Sequence, residues 1–274
     1  MRLTRLFLLL FTLATPLAVV AQDAKQELNN QMWEAVRKGD VVAVTAALDK
    51  GADVNAKFRY GTTALFKAAE RGHADVVKLL LARGVDVSVK DTFYGTTAMT
   101  WALDNDHVEA VRAILEKDDS SATQVMMTGA REGKVALVEM AVAKGGLKPE
   151  ALTSAYAIVM NDKEKTGIAE ILKKAGATPP LEIDAAILQS YSGRFRPETG
   201  AELVLSVKEG RLFAAPTGQQ PIAMMALDKT TFKPVAFDGI VITFTVEGDK
   251  VPGFTLTQGP NKTPFKRVEE VKQP

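Results

Sequence analysis

Cysteine is absent from the 274 residues of the chain, and histidine occurs only twice. Without cysteine there can be no disulfide bond, no thiol catalysis and no lipid anchor on an acylated thiol. A structural zinc site is also disfavoured, because such sites take their ligands from cysteine and histidine. We therefore expect the protein to use no metal and no cofactor.

An excess of one sign of charge is missing as well. The chain carries 34 basic and 33 acidic residues, which gives a formal net charge of +1. This balance offers no electrostatic reason to expect nucleic acid or anionic lipid as a partner. The composition, with 46% hydrophobic and 24% charged residues, excludes a collagen, a disulfide scaffold and a wholly disordered chain. A globular protein of one large or two smaller domains remains.

The N-terminal residues have the three-part layout of a secretory signal peptide. Arg2 and Arg5 precede an uncharged run over 6–20, and the small residue Ala21 follows. The run is shorter than the ~20 residues that span a bilayer, and Pro16 interrupts it. An uncleaved membrane anchor is the alternative. We expect cleavage after Ala21, no membrane anchor afterwards, and a bacterial protein that is exported to the periplasm or secreted.

The middle of the chain contains an internal repeat. The segment Tyr-Gly-Thr-Thr-Ala at 60–64 recurs at 94–98, which is 34 residues later. A second marker has a similar period, because glycines at 39, 72 and 133 are each followed by another glycine 12 residues on. The stretch between 72 and 84 has apolar residues at the spacing of one helical face. Such a period indicates a stack of small, similar helical units.

These segments resemble the ankyrin repeat family. The family pattern consists, in order, of Gly-x-Thr-Pro-Leu-His-x-Ala-Ala, Gly-His, Val-Val-x-x-Leu-Leu and Gly-Ala-Asp-Val-Asn. Its four parts are matched in this chain by 61–69, 72–73, 76–81 and 84–88. The unit before it ends in Gly-Ala-Asp-Val-Asn itself. The resemblance covers about residues 28–178 and implies an α solenoid of about five helix-turn-helix repeats. The predicted units are 28–58, 59–91, 92–119, 123–147 and 150–178.

Two positions depart from the family pattern in a way that bears on stability. The histidine of the first helix is replaced by Phe66 and Thr100, and the proline by Ala64 and Ala98. We expect part of the usual hydrogen bonding of the turn to be lost there.

The sequence contains no recognisable catalytic constellation. His73 and His107 occupy the same place in successive repeats, so we interpret them as turn residues; catalysis or metal binding is the alternative. No Ser-x-x-Lys, Gly-x-Ser-x-Gly elbow, P-loop or dinucleotide fingerprint is present. We therefore expect a protein that is not an enzyme.

The hydrophobic period changes after Tyr191 from that of helices to that of strands. Short alternating runs flank Glu209-Gly210 and residues 247–249, which is typical of β-hairpins. Seven or eight short strands predict a small closed barrel, because closure removes exposed edges. A short helix over 183–189 is expected at one end.

This segment is similar to the small lipocalin-like barrel at the C-terminus of exported penicillin-binding-protein-like serine hydrolases. The likeness rests on residues 191–195, 203–205, 209–212, Phe232, 254–256 and 267–268. It implies an accessory domain without chemistry of its own. The predicted domains are then a signal peptide (1–21), an ankyrin-repeat domain (23–180) and a lipocalin-like β-barrel domain (181–274).

The ankyrin resemblance implies that the protein binds another protein, through the fingertip loops and the concave face of the first helices. Aromatic residues and arginine are enriched in interface hot spots. The candidate binding residues are Phe58, Arg59, Tyr60, Phe93 and Tyr94. Alternatively, Tyr60 and Tyr94 pack against the next loop. Trp33 and Trp101 are interpreted as core residues. Together with export, this predicts an adaptor or regulator in the cell envelope.

Two other functions are compatible with the barrel. Its interior could bind a small apolar ligand, although a barrel of this size is more often filled by its own side chains. The interior candidates are Leu203, Leu205, Phe213, Met225, Phe232, Ile242 and Phe244. From the resemblance to the hydrolase barrels, the protein could also be an accessory regulator of a serine hydrolase.

Export can be tested through the predicted cleavage point. The protein produced in a secreting bacterial host should begin at Gln22, because a small residue at position 21 is what signal peptidase requires. Intact mass spectrometry of the purified protein measures this directly. Replacing Ala21 with Tyr should leave the leader attached. A wild-type protein that retains residues 1–21 would contradict the prediction.

Overall fold

The structure, a computed structural model, describes residues 14–235 and 239–268. The start of the predicted signal peptide, 1–13, and residues 236–238 and 269–274 of the predicted barrel domain lie outside these ranges. The described chain forms two compact units that divide between Val125 and Met126. No helix within these ranges combines the length and the apolar character needed to cross a membrane.

The N-terminal unit is a stack of helix pairs. Its helices are α1 (Ala14–Lys38), α2 (Val41–Asp49), α3 (Ala64–Arg71), α4 (Ala74–Ala82), α5 (Ala98–Asp104) and α6 (Val108–Lys117), and α7 (Ala122–Glu132) begins in it. The first helices contact one another in the order α1, α3, α5, and the second helices in the order α2, α4, α6. Each pair therefore buries its apolar face against the next, as the predicted solenoid requires.

The buried face of α4 is the one that its apolar spacing predicts. Val76, Val77, Leu80 and Leu81 are all buried, and Val76, Val77 and Leu80 are at most 1% exposed. Because these residues lie three and four positions apart, they form one stripe on the helix. Helix α4 contacts α3 of its own pair and the second helices α2 and α6 on either side of it.

The first helix of a pair ends in a left-handed residue that lets the chain turn into the second helix. Gly72 has φ +69° after α3, and Asp106 has φ +58° at the same place after α5. Glycine adopts this conformation at little cost, and aspartate tolerates it better than most side chains.

Both histidines link neighbouring repeats by hydrogen bonds. His73 Nε2 lies 3.3 Å from the carbonyl oxygen of Arg37, and His107 Nε2 lies 3.0 Å from that of Glu70. Because a carbonyl oxygen only accepts, Nε2 carries the proton in each ring. The predicted role of the histidines in the turns is confirmed.

The expected loss of hydrogen bonding in the turn occurs in one of the two repeats, the one that contains Thr63. Thr63 is fully buried, and its hydroxyl group has no hydrogen-bond partner among the described residues. The equivalent hydroxyl of Thr97 lies 3.5 Å from that of Thr100, which stands where Phe66 stands in the preceding repeat. Phenylalanine offers no polar atom, so the hydroxyl of Thr63 stays unsatisfied.

The C-terminal unit begins with the last two helix pairs. After α7 follow α8 (Val135–Lys144), α9 (Pro149–Val159) and α10 (Thr166–Lys174), and α10 contacts both α8 and α9. Lys165 takes the place of the histidines here, because its Nζ donates to the carbonyl oxygen of Arg131 at 2.8 Å. The five predicted helix pairs are therefore all present.

A closed antiparallel barrel of eight strands completes this unit. Helix α11 (Ala185–Tyr191) precedes it, two residues later than predicted. The strands are β1 (Gly193–Pro197), β2 (Leu203–Lys208), β3 (Arg211–Pro216), β4 (Ile222–Ala226), β5 (Thr231–Pro234), β6 (Ile240–Glu247), β7 (Lys250–Gln258) and β8 (Asn261–Arg267). Each strand pairs with its neighbours in the sequence, and β8 pairs with β1. The predicted closed barrel is confirmed.

The interior of the barrel is packed with aromatic and aliphatic side chains. Phe195, Phe232 and Phe254 are at most 2% exposed. Tyr191, from α11, stacks on Phe244 with ring centroids 4.0 Å apart. Its hydroxyl donates to the carbonyl oxygen of Lys229 at 2.9 Å, and burial raises its pKa. Helix α11 thus covers one end of the barrel, as predicted.

Two of the residues assigned to the interior do not face it. Phe213 pairs with Ser206 on the outer face of the sheet, whereas its neighbour Leu212 points inward. Met225 is buried outside the barrel, and Met224 is the interior residue of β4. The prediction was wrong by one residue on both strands. Leu203, Leu205, Phe232, Ile242 and Phe244 do face the interior.

The outer face around Met225 is apolar because a helix covers it. Met225 and Val235 form a buried cluster with Ala157 of α9. This packing explains why the last helices and the barrel form one compact unit, although the predicted domain boundary at 180 marks the change from helix to strand.

Arg267 joins three segments around the closing strand. Its guanidinium donates to the carbonyl oxygens of Ser190, Ser192 and Val251 at 2.6 to 2.7 Å. It also lies over the ring of Phe195, 4.6 Å from the centroid. Burial lowers the pKa of Arg267, yet a guanidinium remains charged at neutral pH. This side chain therefore ties the end of α11 to strands β7 and β8.

Two glycine variants should separate backbone strain from the contact between repeats. A Cβ atom at Gly72 would lie 2.5 Å from His107 Nδ1, whereas one at Gly84, with φ +80°, would meet nothing within 4 Å. Gly84→Ala should cost about 1–2 kcal/mol for the left-handed conformation. Gly72→Ala should cost about 1–3 kcal/mol more, because the ring of His107 must move.

Urea denaturation of the two variants measures this difference. Equal losses of stability in both would show that the packing of His107 on Gly72 contributes nothing.

Candidate functional site

Two loops of the N-terminal unit carry the predicted binding residues. The first spans 58–62 and the second 91–96, and each is closed at its base by a backbone hydrogen bond, from Phe58 to Thr62 and from Asp91 to Thr96. A further bond joins the loops, because the N–H of Thr92 donates to the carbonyl oxygen of Tyr60 at 2.8 Å. The loops therefore have a fixed relation to each other.

The carboxylate of Asp91 organises the second loop. It is 4% exposed and accepts bonds with both of its oxygens. Oδ1 accepts from the N–H groups of Phe93 and Tyr94 at 2.9 and 2.6 Å, and Oδ2 accepts from the N–H and the hydroxyl of Thr96. The hydroxyl of Thr96, together with these N–H groups, holds the pKa of Asp91 well below its ordinary value. The loop is thus built around an ionised side chain.

The aromatic rings of the two loops contact one another. Tyr60 and Phe93 have ring centroids 5.5 Å apart, and Phe93 meets Tyr94 edge-on at 4.5 Å. Arg59 lies over the ring of Tyr60 and donates to its hydroxyl group at 2.6 Å. Aromatic pairs in such geometries add about 0.5–1.5 kcal/mol beyond the area they bury. We call the residues Phe58, Arg59, Tyr60, Phe93 and Tyr94 the fingertip surface.

The rings of the fingertip surface are nevertheless largely open to solvent. Phe93 is 64% exposed, Tyr94 69% and Tyr60 47%. A contiguous group of exposed aromatic side chains is uncommon on a protein that acts alone, and it is typical of interaction sites. Tyr60 fits both interpretations of the tyrosines, because its ring contacts Phe93 of the next loop and is also exposed.

Phe58 connects this surface to the helices. Its ring stacks on that of Trp33 in α1, with centroids 4.1 Å apart. Trp33 is only half-buried, as is Trp101 in α5, so the interpretation of both as core residues was wrong. The apolar spacing of a helix cannot distinguish a face that packs in the core from one that a loop covers.

Cations border the fingertip surface. Lys57, Arg59 and Lys90 are exposed, and they flank or lie within the two loops. The nearest carboxylate in the sequence, Asp91, is buried and already saturated with hydrogen bonds. Lys57 lies close enough to the exposed carboxylate of Asp86 to help lower its pKa. Arg59 and Lys90 are therefore the cations that favour a partner with acidic side chains around an apolar centre.

The second set of candidate residues lies in the barrel and forms no open site within it. Leu205, Phe232 and Phe244 pack among the interior side chains, and Phe213 lies on the outer face. Met225 and Phe232 do line a cavity, which lies beside α9. Nothing in the sequence pattern pointed to that cavity, because it depends on how α9 meets β4.

The role of Asp91 can be tested by replacing it with asparagine. Asp91→Asn substitutes an amide NH₂ for an oxygen that faces two donors, so at least one of these bonds is lost. Hydrogen exchange at the amides of Phe93, Tyr94 and Thr96 should become faster. In the wild type, the stabilising contribution of Asp91 is complete above its ordinary pKa of about 4 and is lost progressively below that pH, towards the depressed pKa.

Asp86→Asn is the matched control. Asp86 accepts both of its bonds, from the N–H and the hydroxyl of Ser88, with Oδ1 alone. Asparagine keeps that oxygen, so exchange at Ser88 should stay unchanged. Unchanged exchange at Phe93 and Tyr94 in Asp91→Asn would show that Asp91 does not hold the loop.

Comparison with known proteins agrees with the helical part of the fold. Residues 32–126 match the family described as ankyrin repeats (3 copies). Among similar proteins are the 2-5A-dependent ribonuclease of Mus musculus, 46% identical over 61 residues, and the mitochondrial disaggregase of Homo sapiens, 47% identical over 62 residues. The ankyrin repeat, SAM and basic leucine zipper domain-containing protein 1 of Equus caballus is 41% identical over 63 residues.

These matches cover a short part of every protein involved. They span 22%, 23% and 23% of this chain, and 8%, 9% and 13% of the three relatives. The chain therefore spans less than a sixth of the length of these relatives. Ankyrin repeats in general are protein-binding modules. Residues 32–126 therefore form an ankyrin-repeat region, followed by further helix pairs and a closed eight-stranded barrel.

Proposed function

We propose that this protein is an exported, non-catalytic adaptor or regulator that binds a protein partner in the cell envelope through its fingertip surface. The observation that carries the proposal is the exposed contact group of Tyr60, Phe93 and Tyr94. A partner can bury these rings at low entropic cost, because the loops beneath them are already ordered by hydrogen bonds.

The signal-peptide layout of residues 1–21 supports the proposed location. The absence of cysteine is compatible with an oxidising compartment, since no thiol needs protection there. The partner chemistry follows from the surface itself. Aromatic rings at the centre and cations at the rim suit an apolar segment with acidic side chains on either side.

The similarity of the barrel to accessory domains of serine hydrolases suggests a more specific partner. Under this proposal, the partner is a serine hydrolase that acts on the cell wall in the same compartment. The barrel would then dock on the hydrolase, or occupy a position near it, while the repeats bind a second protein. This part of the proposal rests on analogy of architecture.

The fingertip surface can be tested by site-specific crosslinking in intact cells. A photo-crosslinking amino acid at position 93 should yield one dominant adduct, because Phe93 is at the centre of the aromatic contacts. The same amino acid at position 42 is the control, since Val42 is 79% exposed in the same unit and lies outside the surface. The adduct is identified by mass spectrometry and retested with purified proteins.

The energetic contribution of the rings is measured with that purified partner. The double variant Phe93→Ser/Tyr94→Ser should weaken binding about 30-fold or more, as expected when hot-spot aromatics are removed. Val42→Ser should bind as the wild type does. Equal affinity of the double variant and the wild type, with both folded, would refute the fingertip surface as the binding site.

A further inference from the structure

A cavity of about 390 Å³ lies in the C-terminal unit beside the barrel. Its walls come from the end of α9, the segment 179–183 that follows α10, and strands β3 to β5. Its volume falls within the range of about 300–1,000 Å³ that small-molecule sites have. Four residues of the barrel-interior cluster, Leu188, Leu212, Met224 and Phe232, also line it, so the cavity adjoins the packed interior of the barrel.

Apolar residues outnumber polar ones in the lining, and three of them are flexible methionines. Met160, Met224 and Met225 contribute thioether side chains, and Leu181 and Phe232 contribute hydrocarbon surface. Methionine adapts to ligands of different shape, because its side chain is unbranched and polarisable. Such walls favour an alkyl chain over a rigid polar molecule.

One guanidinium stands in this apolar wall. Arg211 begins β3, lines the cavity, and donates from Nη1 to the carbonyl oxygen of Ala157 in the last turn of α9 at 3.2 Å. Its Nη2 is buried and has no hydrogen-bond partner among the described residues. A buried donor without an acceptor is costly, and more so when it belongs to a charged group. The wall thus holds a cation with one nitrogen, Nη2, that lacks an acceptor in the described part of the chain.

The other charges at the cavity have the opposite sign but are solvated. Glu182 and Glu209 line it, and both side chains are exposed to solvent. Water and salt screen exposed charges strongly, whereas the partly buried Arg211 is screened less. The inner part of the cavity is therefore suited to an acceptor, and its rim disfavours a highly charged anion.

We propose that this cavity binds a single-chain amphipathic carboxylate, with the alkyl chain against the methionines and the carboxylate on the guanidinium of Arg211. A carboxylate supplies acceptors for the N–H groups of this guanidinium, and a rotation of the Arg211 side chain toward the cavity brings the buried Nη2 within reach of a charge-assisted hydrogen bond. The same ligand would bridge α9 and the barrel, since both contribute to the wall. This site is independent of the fingertip surface.

The proposal is tested by calorimetric titration of the full-length protein with three ten-carbon probes, each below its micelle-forming concentration. Decanoate should bind at one site per chain. Decan-1-ol should bind about ten-fold more weakly, and decylammonium more weakly still, because the first lacks the charge and the second repels Arg211. Absent decanoate binding, or decylammonium binding as tight as that of decanoate, would overturn the proposal.

Variants locate the site. Arg211→Met keeps the length of the side chain and removes its donors, so it should lower the affinity for decanoate about ten-fold and leave that for decan-1-ol within about two-fold. Glu209→Gln, two residues away on the same hairpin, should leave the affinity for decanoate unchanged or raise it. A decanoate affinity that Arg211→Met does not alter would contradict the assigned role of the guanidinium.

A second substitution keeps the test decisive if Arg211→Met does not fold. Met160→Trp adds bulk at the edge of the cavity, where the side chain of Met160 is half-buried. It should abolish the binding of decanoate and decan-1-ol together. Thermal denaturation confirms that each variant is folded, and undiminished binding to a folded Met160→Trp would place the site elsewhere.

Discussion

The burial of one helix face against the next helix pair is the constraint on which the repeat region depends. A single pair has too small an interior of its own, so the burial of Val76, Val77 and Leu80 on α4 also depends on the neighbouring second helices, α2 and α6. This stacking also sets the distance between successive loops. The bond from Thr92 to Tyr60 and the aromatic contacts above it exist because consecutive pairs place their loops side by side.

Much of the fold follows from periodicity in the sequence. The recurrence of Tyr-Gly-Thr-Thr-Ala predicted the helix pairs, and Glu209-Gly210 predicted the turn of the hairpin β2–β3. The choice of the inward face of β3 and β4 was wrong, because each strand has adjacent apolar residues; Arg211, two residues before Phe213, marks the outer side of β3, whereas β4 has no polar marker. Met225 is buried because α9, which is distant from β4 in the sequence, covers that outer face.

The candidate site was predicted less completely than the fold. The exposed aromatics were found from residue type and loop position alone. Trp33 was not, because its partner Phe58 lies at the other end of the same predicted unit, 28–58, and only folding brings the rings to 4.1 Å. Asp91 was missed for a related reason. Its role depends on the loop closing so that four donors converge on one carboxylate, and the sequence showed only an aspartate beside a threonine.

The pairing of β8 with β1 has a consequence for the order in which the chain folds. Helix pairs are local, so the repeat region can form progressively while synthesis continues. The barrel cannot close in stages, because its first strand, β1, pairs with its last, β8. Strand β8 contains Arg267, which also binds the end of α11. Until these two strands pair, the aromatic interior of the barrel is exposed. We therefore expect the barrel to fold more slowly than the helix pairs.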